Sequence, residues 1–282
     1  NWFDKKSRQE RFTPLFIIPY LTAEDDTNFC RVKVIPKPEF FEGKYTQQSS
    51  QHLKYPCHLY ILPSELEKLK SNKCKLAIVE GEKKTLKLIQ EIRKIEDEIG
   101  YKIAVIGISG INNWQTAPEW GKLNIIGREC ILFFDADSEH NKAVVEAELE
   151  FAGFLYSKGA GAVRSAVWST SEGKGIDDLL VNSSSESEKL KEILNNVISV
   201  FEKYKNRLQD KESLKAFFKY PIRVDKSRLE YLIEVVREET NVKKQLIKTV
   251  ITALQVEYEY ELQQKQQEQI KQVFGLDFIQ VP

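Results

Sequence analysis

Apolar residues in the middle of this chain alternate between two periods. Leu76-Ala77-Ile78-Val79, Ile103 to Ile108 and Ile131-Leu132-Phe133-Phe134 are short continuous runs, the pattern of strands buried on both faces. Ala162 to Trp168 reads as a further strand. Between them, Lys83 to Gly100 places Leu86, Ile89, Ile92, Ile95 and Ile99 at spacings of three and four and ends on a glycine, which predicts a helix. Lys142 to Lys158 carries Val144, Val145, Ala147, Leu149, Ala152 and Leu155 in the same rhythm. Strand and helix in alternation predict an α/β fold: a parallel sheet of about four strands, covered by helices and joined by right-handed crossovers.

The flanks follow other patterns. Residues 1 to 70 hold six of the nine prolines and break into short extended pieces, of which Leu15 to Leu21 and Phe29 to Ile35 read as strands around an acidic turn, Thr22 to Asn28. Ser64 to Lys73 predicts a short helix with Ser64 as its cap and Glu67 at the third helical position. Beyond Val181, Asn182-Ser183-Ser184-Ser185-Glu186-Ser187 reads as a linker. Past it the pattern is helical: Leu190 to Phe201, Leu214 to Phe218, Leu229 to Val236 and Leu246 to Leu254, then a Gln, Glu and Lys-rich tail from Glu259 to Gln272 without an apolar stripe. We therefore expect a small β-rich subdomain over 1–70, an α/β domain over 71–181 and a helical module over 188–282.

Composition adds bounds. At 282 residues, 41% hydrophobic and 30% charged, the chain has the make-up of a soluble globular protein. It shows no apolar run of membrane-spanning length and no secretory leader, so we expect a cytoplasmic protein without membrane contact. Cys30, Cys57, Cys74 and Cys130 are widely separated, which argues against a zinc ribbon and suits thiols in a reducing compartment. The sequence has no methionine, even at its start, and we expect a piece of a longer polypeptide. Formal charge is zero but uneven: residues 1–75 are +4, residues 76–180 are −5 and residues 181–282 are +1. A polyanion would meet its positive contacts mainly on the N-terminal flank.

The predicted strands end in acids. Val79 leads into Glu80-Gly81, and Phe134 leads into Asp135-Ala136-Asp137. In open α/β sheets ligands bind at the C-terminal strand edge, and residues i and i+2 of an extended chain project to one side, so Asp135 and Asp137 can converge. Mg²⁺ takes hard oxygen ligands and keeps waters and phosphates in the rest of its shell, so one or two carboxylates are sufficient. The plainer alternative is a solvated strand end with an Asx turn.

Together, Val79-Glu80-Gly81, Ile106-Gly107-Ile108-Ser109-Gly110 and Phe134-Asp135-Ala136-Asp137 resemble the Toprim domain of topoisomerases and primases. Lys174-Gly175-Ile176-Asp177-Asp178-Leu179-Leu180 is similar to the segment that closes such domains in primase-like proteins. Glu80 to Lys84 and Lys174 to Asp178 look more narrowly like a Toprim-like family attached to replication helicases of phages, plasmids and other mobile elements. The resemblance spans about Leu76 to Val181. The order Ile18-Pro19-Tyr20, acidic turn, Cys30-Arg31-Val32-Lys33-Val34, then Lys54-Tyr55-Pro56 loosely resembles the subdomain that precedes Toprim in bacterial-type primases.

The resemblance implies that Asp135 and Asp137 bind Mg²⁺ or Mn²⁺, that Glu80 completes the site or acts as general base, and that Asp177 assists the metal. Lys83 and Lys84, opening a helix, and Lys174 would hold phosphate, while Arg31, Lys33 and Lys54 would track template or nucleotide phosphate. The implied activity is primase-like, metal-dependent nucleotidyl transfer on single-stranded DNA from nucleoside triphosphates, with a replicative helicase as partner in cis or in trans. A Toprim nuclease using the same acids, and a non-catalytic DNA- or nucleotide-binding module, are its alternatives. No evident tyrosine nucleophile points to a topoisomerase.

Overall fold

A computed structural model of the chain describes residues 2–4, 9–11, 15–21, 23, 29–35, 45–47, 53–136 and 141–274. In chain order its elements begin with strands β1 (Trp2–Asp4), β2 (Gln9–Arg11), β3 (Leu15–Pro19), β4 (Cys30–Val34) and β5 (Thr46–Gln47). The central part comprises α1 (Leu66–Lys70), β6 (Lys75–Glu80), α2 (Glu82–Ile99), β7 (Ile103–Ile108), β8 (Glu129–Phe133), α3 (Lys142–Ser157), β9 (Ala162–Ser165), α4 (Ile176–Asn182) and α5 (Glu186–Asn195). The chain continues through β10 (Ile198–Ser199), α6 (Val200–Lys203), α7 (Lys211–Phe218), α8 (Lys226–Thr240) and α9 (Lys244–Phe274). Packing divides it into two compact units, one from residues 1–137 and 164–197, the other from 138–163 and 198–282.

The main sheet has the order β10-β9-β8-β6-β7, with β6 parallel to both β7 and β8. Its register sets Glu80 opposite Ile108 and Val79 opposite Phe133, so the C-terminal ends of these three strands are level. The chain leaves β6 for β7 on one side and returns to β8 on the other. That reversal at β6 is the switch point beside which open α/β sheets bind ligands. The expected α/β sheet covered by helices is therefore the observed architecture, as a mixed sheet whose strands are mostly parallel.

The first unit buries one continuous core. Ala77, Val79, Val105, Ile131 and Phe133 from the sheet meet Leu88, Ile89, Ile92 and Ile95 of α2, Leu179 of α4 and Leu190, Ile193 and Leu194 of α5. Ile89, Ile92 and Ile95 are positions that the helical spacing marks, whereas Leu88 takes the core place expected of Leu86, which is exposed; Gly100 closes α2 in the left-handed conformation at φ 73°. Ser183 and its neighbours form a turn between α4 and α5, where Ser185 caps α5 by accepting from Glu188 N at 3.5 Å. The expected serine linker is thus a turn between two helices of one core.

The far edge strand β7 is closed by side chains and backbone. Its outward amides at Ile103, Val105 and Gly107 donate to Glu96 Oε1 (3.2 Å), Glu65 Oε2 (3.1 Å) and the Tyr60 carbonyl (2.8 Å). Each of these N–H groups would otherwise template an added strand. Ser64 does not cap α1: the helix starts later than expected, after a 3₁₀ turn at Pro63–Glu65, and has no side-chain cap. Pro63 supplies the turn, and Ser64 Oγ is taken by Arg93.

Within the N-terminal segment β3, β4 and β5 form an antiparallel sheet in which Ile17 faces Val32 and Ile18 faces Arg31. Most of the acidic turn expected over Thr22 to Asn28 lies outside the described residues. In the second unit α3 packs on α7, around rings of Phe151, Phe154, Tyr156, Phe201 and Phe217. Glu148, fully buried on α3, accepts from Lys203 Nζ at 3.0 Å and Tyr204 Oη at 2.6 Å, which satisfies its charge. The polar tail expected from Glu259 is a solvated extension of α9. Among the described residues, no helix is long and apolar enough to cross a membrane.

Candidate functional site

At the C-terminal edge of the main sheet lies a cavity of about 380 Å³. Glu80, the last residue of β6, stands on its wall, and the chain then turns through Gly81 at φ 95°, a conformation that a residue with a Cβ rarely adopts. The turn aims the first residues of α2, Glu82, Lys83 and Lys84, into or beside the same space. Ser109 and Gly110 enter after β7 and Asp135 after β8. Ala136 N donates to the Lys174 carbonyl at 2.9 Å, tying the loop after β8 to the approach to α4, so Lys174 and Asp177 also reach the cavity. Arg31 of β4 and Tyr45 close it from the N-terminal sheet.

Of the residues expected to act, the structure brings together Glu80, Asp135, Asp177, Lys83, Lys84, Lys174 and Arg31. Lys33 and Lys54 are not among the lining residues, and Lys54 lies over the Tyr55 ring at 5.3 Å. Asp137 lies outside the described residues.

The charges are arranged in two clusters. In the first, Lys84 Nζ donates to Asp135 Oδ1 and Lys174 Nζ lies 4.0 Å from Asp135 Oδ2. Glu80 has its carboxyl pushed above the ordinary range, first by burial and then by the Asp135 charge; Lys84, a backbone N–H at Ile111 and Lys174 partly offset the rise. In the second cluster, buried Glu82 accepts from Arg31 Nη1 at 2.5 Å and from Tyr20 Oη at 2.6 Å, and Ser109 Oγ lies 3.1 Å from that phenol. Burial, reinforced by Glu82, raises the Tyr20 phenol far above its usual value, so it remains a donor. Arg31 also stacks over Tyr45 at 4.7 Å. Glu82 Oε2 and Asp177 Oδ1 are buried and have no hydrogen-bond partner among the described residues.

Glu82 and Tyr45 line the cavity without having been singled out by the sequence patterns, and of the two Glu82 is the charged one. Its signal is weak, since an acid at the first position of a helix is ordinary; only the partners from β4 and Tyr20 distinguish it. Lys83, exposed, has no carboxylate partner among the described residues and lies 5.5 Å from the Phe16 ring, leaving its ammonium open to an anion.

Glu80 and Asp135 supply hard oxygen donors, and burial, then the Asp135 charge, raises the proton affinity of Glu80. That donor chemistry fits one hard divalent cation completed by water or phosphate oxygens. Among the described residues no group of three or more His, Cys, Asp or Glu is placed to hold an ion.

Residues 67–187, somewhat under half the chain, match the family model described as a domain of unknown function, DUF3854. No curated protein matches. Among solved structures, the fold is similar to the RNA polymerase domain of Mycobacterium tuberculosis primase DnaG, with 13% identity and a TM-score of 0.52 over 80% of this chain and 71% of that one. The same domain in complex with a double-stranded DNA oligomer bearing a 6-nucleotide overhang matches at 12% identity and a TM-score of 0.49, over 82% and 71% of the two chains. At such identities the likeness is one of fold, and the fold is primase-like.

Proposed function

We propose that this chain is a primase-like DNA-replication protein that performs metal-dependent nucleotidyl transfer, joining nucleotides into a primer on single-stranded DNA. The observation that carries this reading is the meeting of Glu80 and Asp135 with Lys83, Lys84, Lys174 and Arg31 in one cavity at the sheet's switch point. Acids alone would repel a triphosphate; acids ringed by cations hold both an electrophilic phosphate and the ion that neutralises it.

In this reading Glu80 and Asp135, with Asp137 and Asp177 nearby in sequence to each strand and helix end, would hold Mg²⁺ or Mn²⁺, which supplies charge neutralisation at the transferring phosphate. A primer hydroxyl attacks the α-phosphorus, the new O–P bond forms, and the bond to the pyrophosphate oxygen breaks. Glu80 either completes that ion's site or, left off the ion, accepts the hydroxyl proton as general base. Lys83 and Lys174 orient the phosphate oxygens, and Arg31, fixed by Glu82, approaches from the opposite wall. A replicative helicase, in cis or in trans, is the partner that suits such a protein.

Incubation with Mg²⁺ or Mn²⁺, single-stranded DNA and labelled nucleoside triphosphates tests the proposal. Extended product supports transfer. Shortened DNA would reassign the site to a nuclease with water as attacker, and binding without either product would leave a non-catalytic DNA- or nucleotide-binding module.

A further inference from the structure

Lys84 sits where the electrostatics of the acidic cluster call for a cation. Its ammonium contacts Asp135, and both side chains are about four-fifths buried, at 21% and 20% exposure. The space it occupies is shaped for it. A Cβ on Gly175 would lie 2.5 Å from Lys84 Cε and 3.0 Å from its Nζ, and 2.7 Å from Asp177 Oδ1. The missing side chain at position 175 thus leaves a slot through which Lys84 passes, with the Asp177 oxygen that has no partner among the described residues on the same wall.

We propose that Lys84 is a resident counter-cation, whose ammonium balances Asp135 in the ion-free protein and must be displaced when a divalent cation binds there. The proposal rests on the reading of Glu80 and Asp135 as a cation site, and it adds a regulation of that site. An ion arriving alone has to break the Lys84 contact, so its affinity is held low. An ion arriving with a triphosphate gives the displaced ammonium new anionic partners in the phosphate oxygens. Metal and triphosphate therefore bind with positive coupling, because each favours the arrangement that the other requires.

Titration of the full chain with Mn²⁺, following the free-ion electron paramagnetic resonance signal, tests this with and without inorganic tripolyphosphate. Lys84→Met keeps the length and helix propensity of the side chain and removes its charge. It should bind Mn²⁺ about tenfold or more tightly than wild type, given the strength of a unit charge at contact distance. Tripolyphosphate should tighten Mn²⁺ binding in wild type more than in the variant. The Mn²⁺-induced rise in melting temperature should also be larger in Lys84→Met, a readout that survives loss of stability in the variant. Equal Mn²⁺ affinity in the two proteins would overturn the role of Lys84 while leaving the cation site standing. Absence of Mn²⁺ binding in both would overturn the cation site, and this inference with it.

Discussion

Arg31 and Glu82 meet at 2.5 Å across the junction of the N-terminal sheet and α2, with side-chain exposures of 14% and 1%. The pair fixes a guanidinium at the cavity wall by means of a carboxylate that has almost no access to water. Breaking it leaves a charge without its counterpart. Glu82→Gln should cost about 3 kcal/mol of stability, as buried pairs do when one member is removed. Urea unfolding of variant and wild type measures this, and a cost near zero would mean that the charge pair with Arg31 adds nothing to stability.

The proton affinity of Glu80 has a consequence for stability. Its carboxyl titrates at an ordinary 4.5 when exposed and higher in the fold. Between those values the folded state holds the extra proton, so stability falls as pH rises through the window and the deficit persists above it. Glu80→Gln should raise the melting temperature at pH 7 in chelator and flatten its decline above pH 4.5. An unchanged pH profile would assign the slope to another group.

Asp135→Asn removes repulsion with Glu80 and also the charge that Lys84 neutralises. These effects oppose, so in chelator the variant should lie within about 1 kcal/mol of wild type. With Mg²⁺, wild type should gain melting temperature, because only the folded state binds the ion, and the variant should not. Equal gains would remove Asp135 from the ion's ligands.

In the second unit, Gly153 lets α3 approach α7 backbone to backbone: a Cβ there would lie 1.9 Å from the Phe217 carbonyl oxygen. Backbone yields less readily than a side-chain tip. Gly153→Ala should destabilise by about 3 kcal/mol despite its better helix propensity. Thermal unfolding of the variant checks it; a gain in stability would show that the two helices can separate without loss.

Much of the first unit was legible because its strands are continuous apolar runs and its helices carry regular three-and-four spacing; β7 runs over the residues expected of it, and α2 differs by one at each end. Asp135 is found just past its strand, as the pattern of apolar run followed by acid requires. Side-chain partnership was not legible. Nothing in the order of residues pairs Lys84 with Asp135, 51 positions on, or Arg31 with Glu82 at the same separation. Ser64 misled because Pro63 imposes its own turn, and the serines after Asn182 misled because composition marks a turn and a linker alike. Their packing has a practical result: α5 contributes Leu190, Ile193 and Leu194 to the first unit's core, so removal of residues 188–282 would damage that core, and the proposed DNA binding is better tested by charge substitutions at Lys83 and Lys174.

The insertion of α3 between β8 and β9 gives the chain an awkward schedule at the ribosome. Ser157 ends α3, whereas Phe218 ends the helix that covers it, about 60 residues later. At translation speeds of ~5–20 residues per second, α3 emerges on the order of 3–12 s before α7. For that interval the aromatic face of Phe151, Phe154 and Tyr156 has no α7 to rest on. During the synthesis of this stretch the nascent chain exposes an aromatic face open to aggregation or to capture by a chaperone.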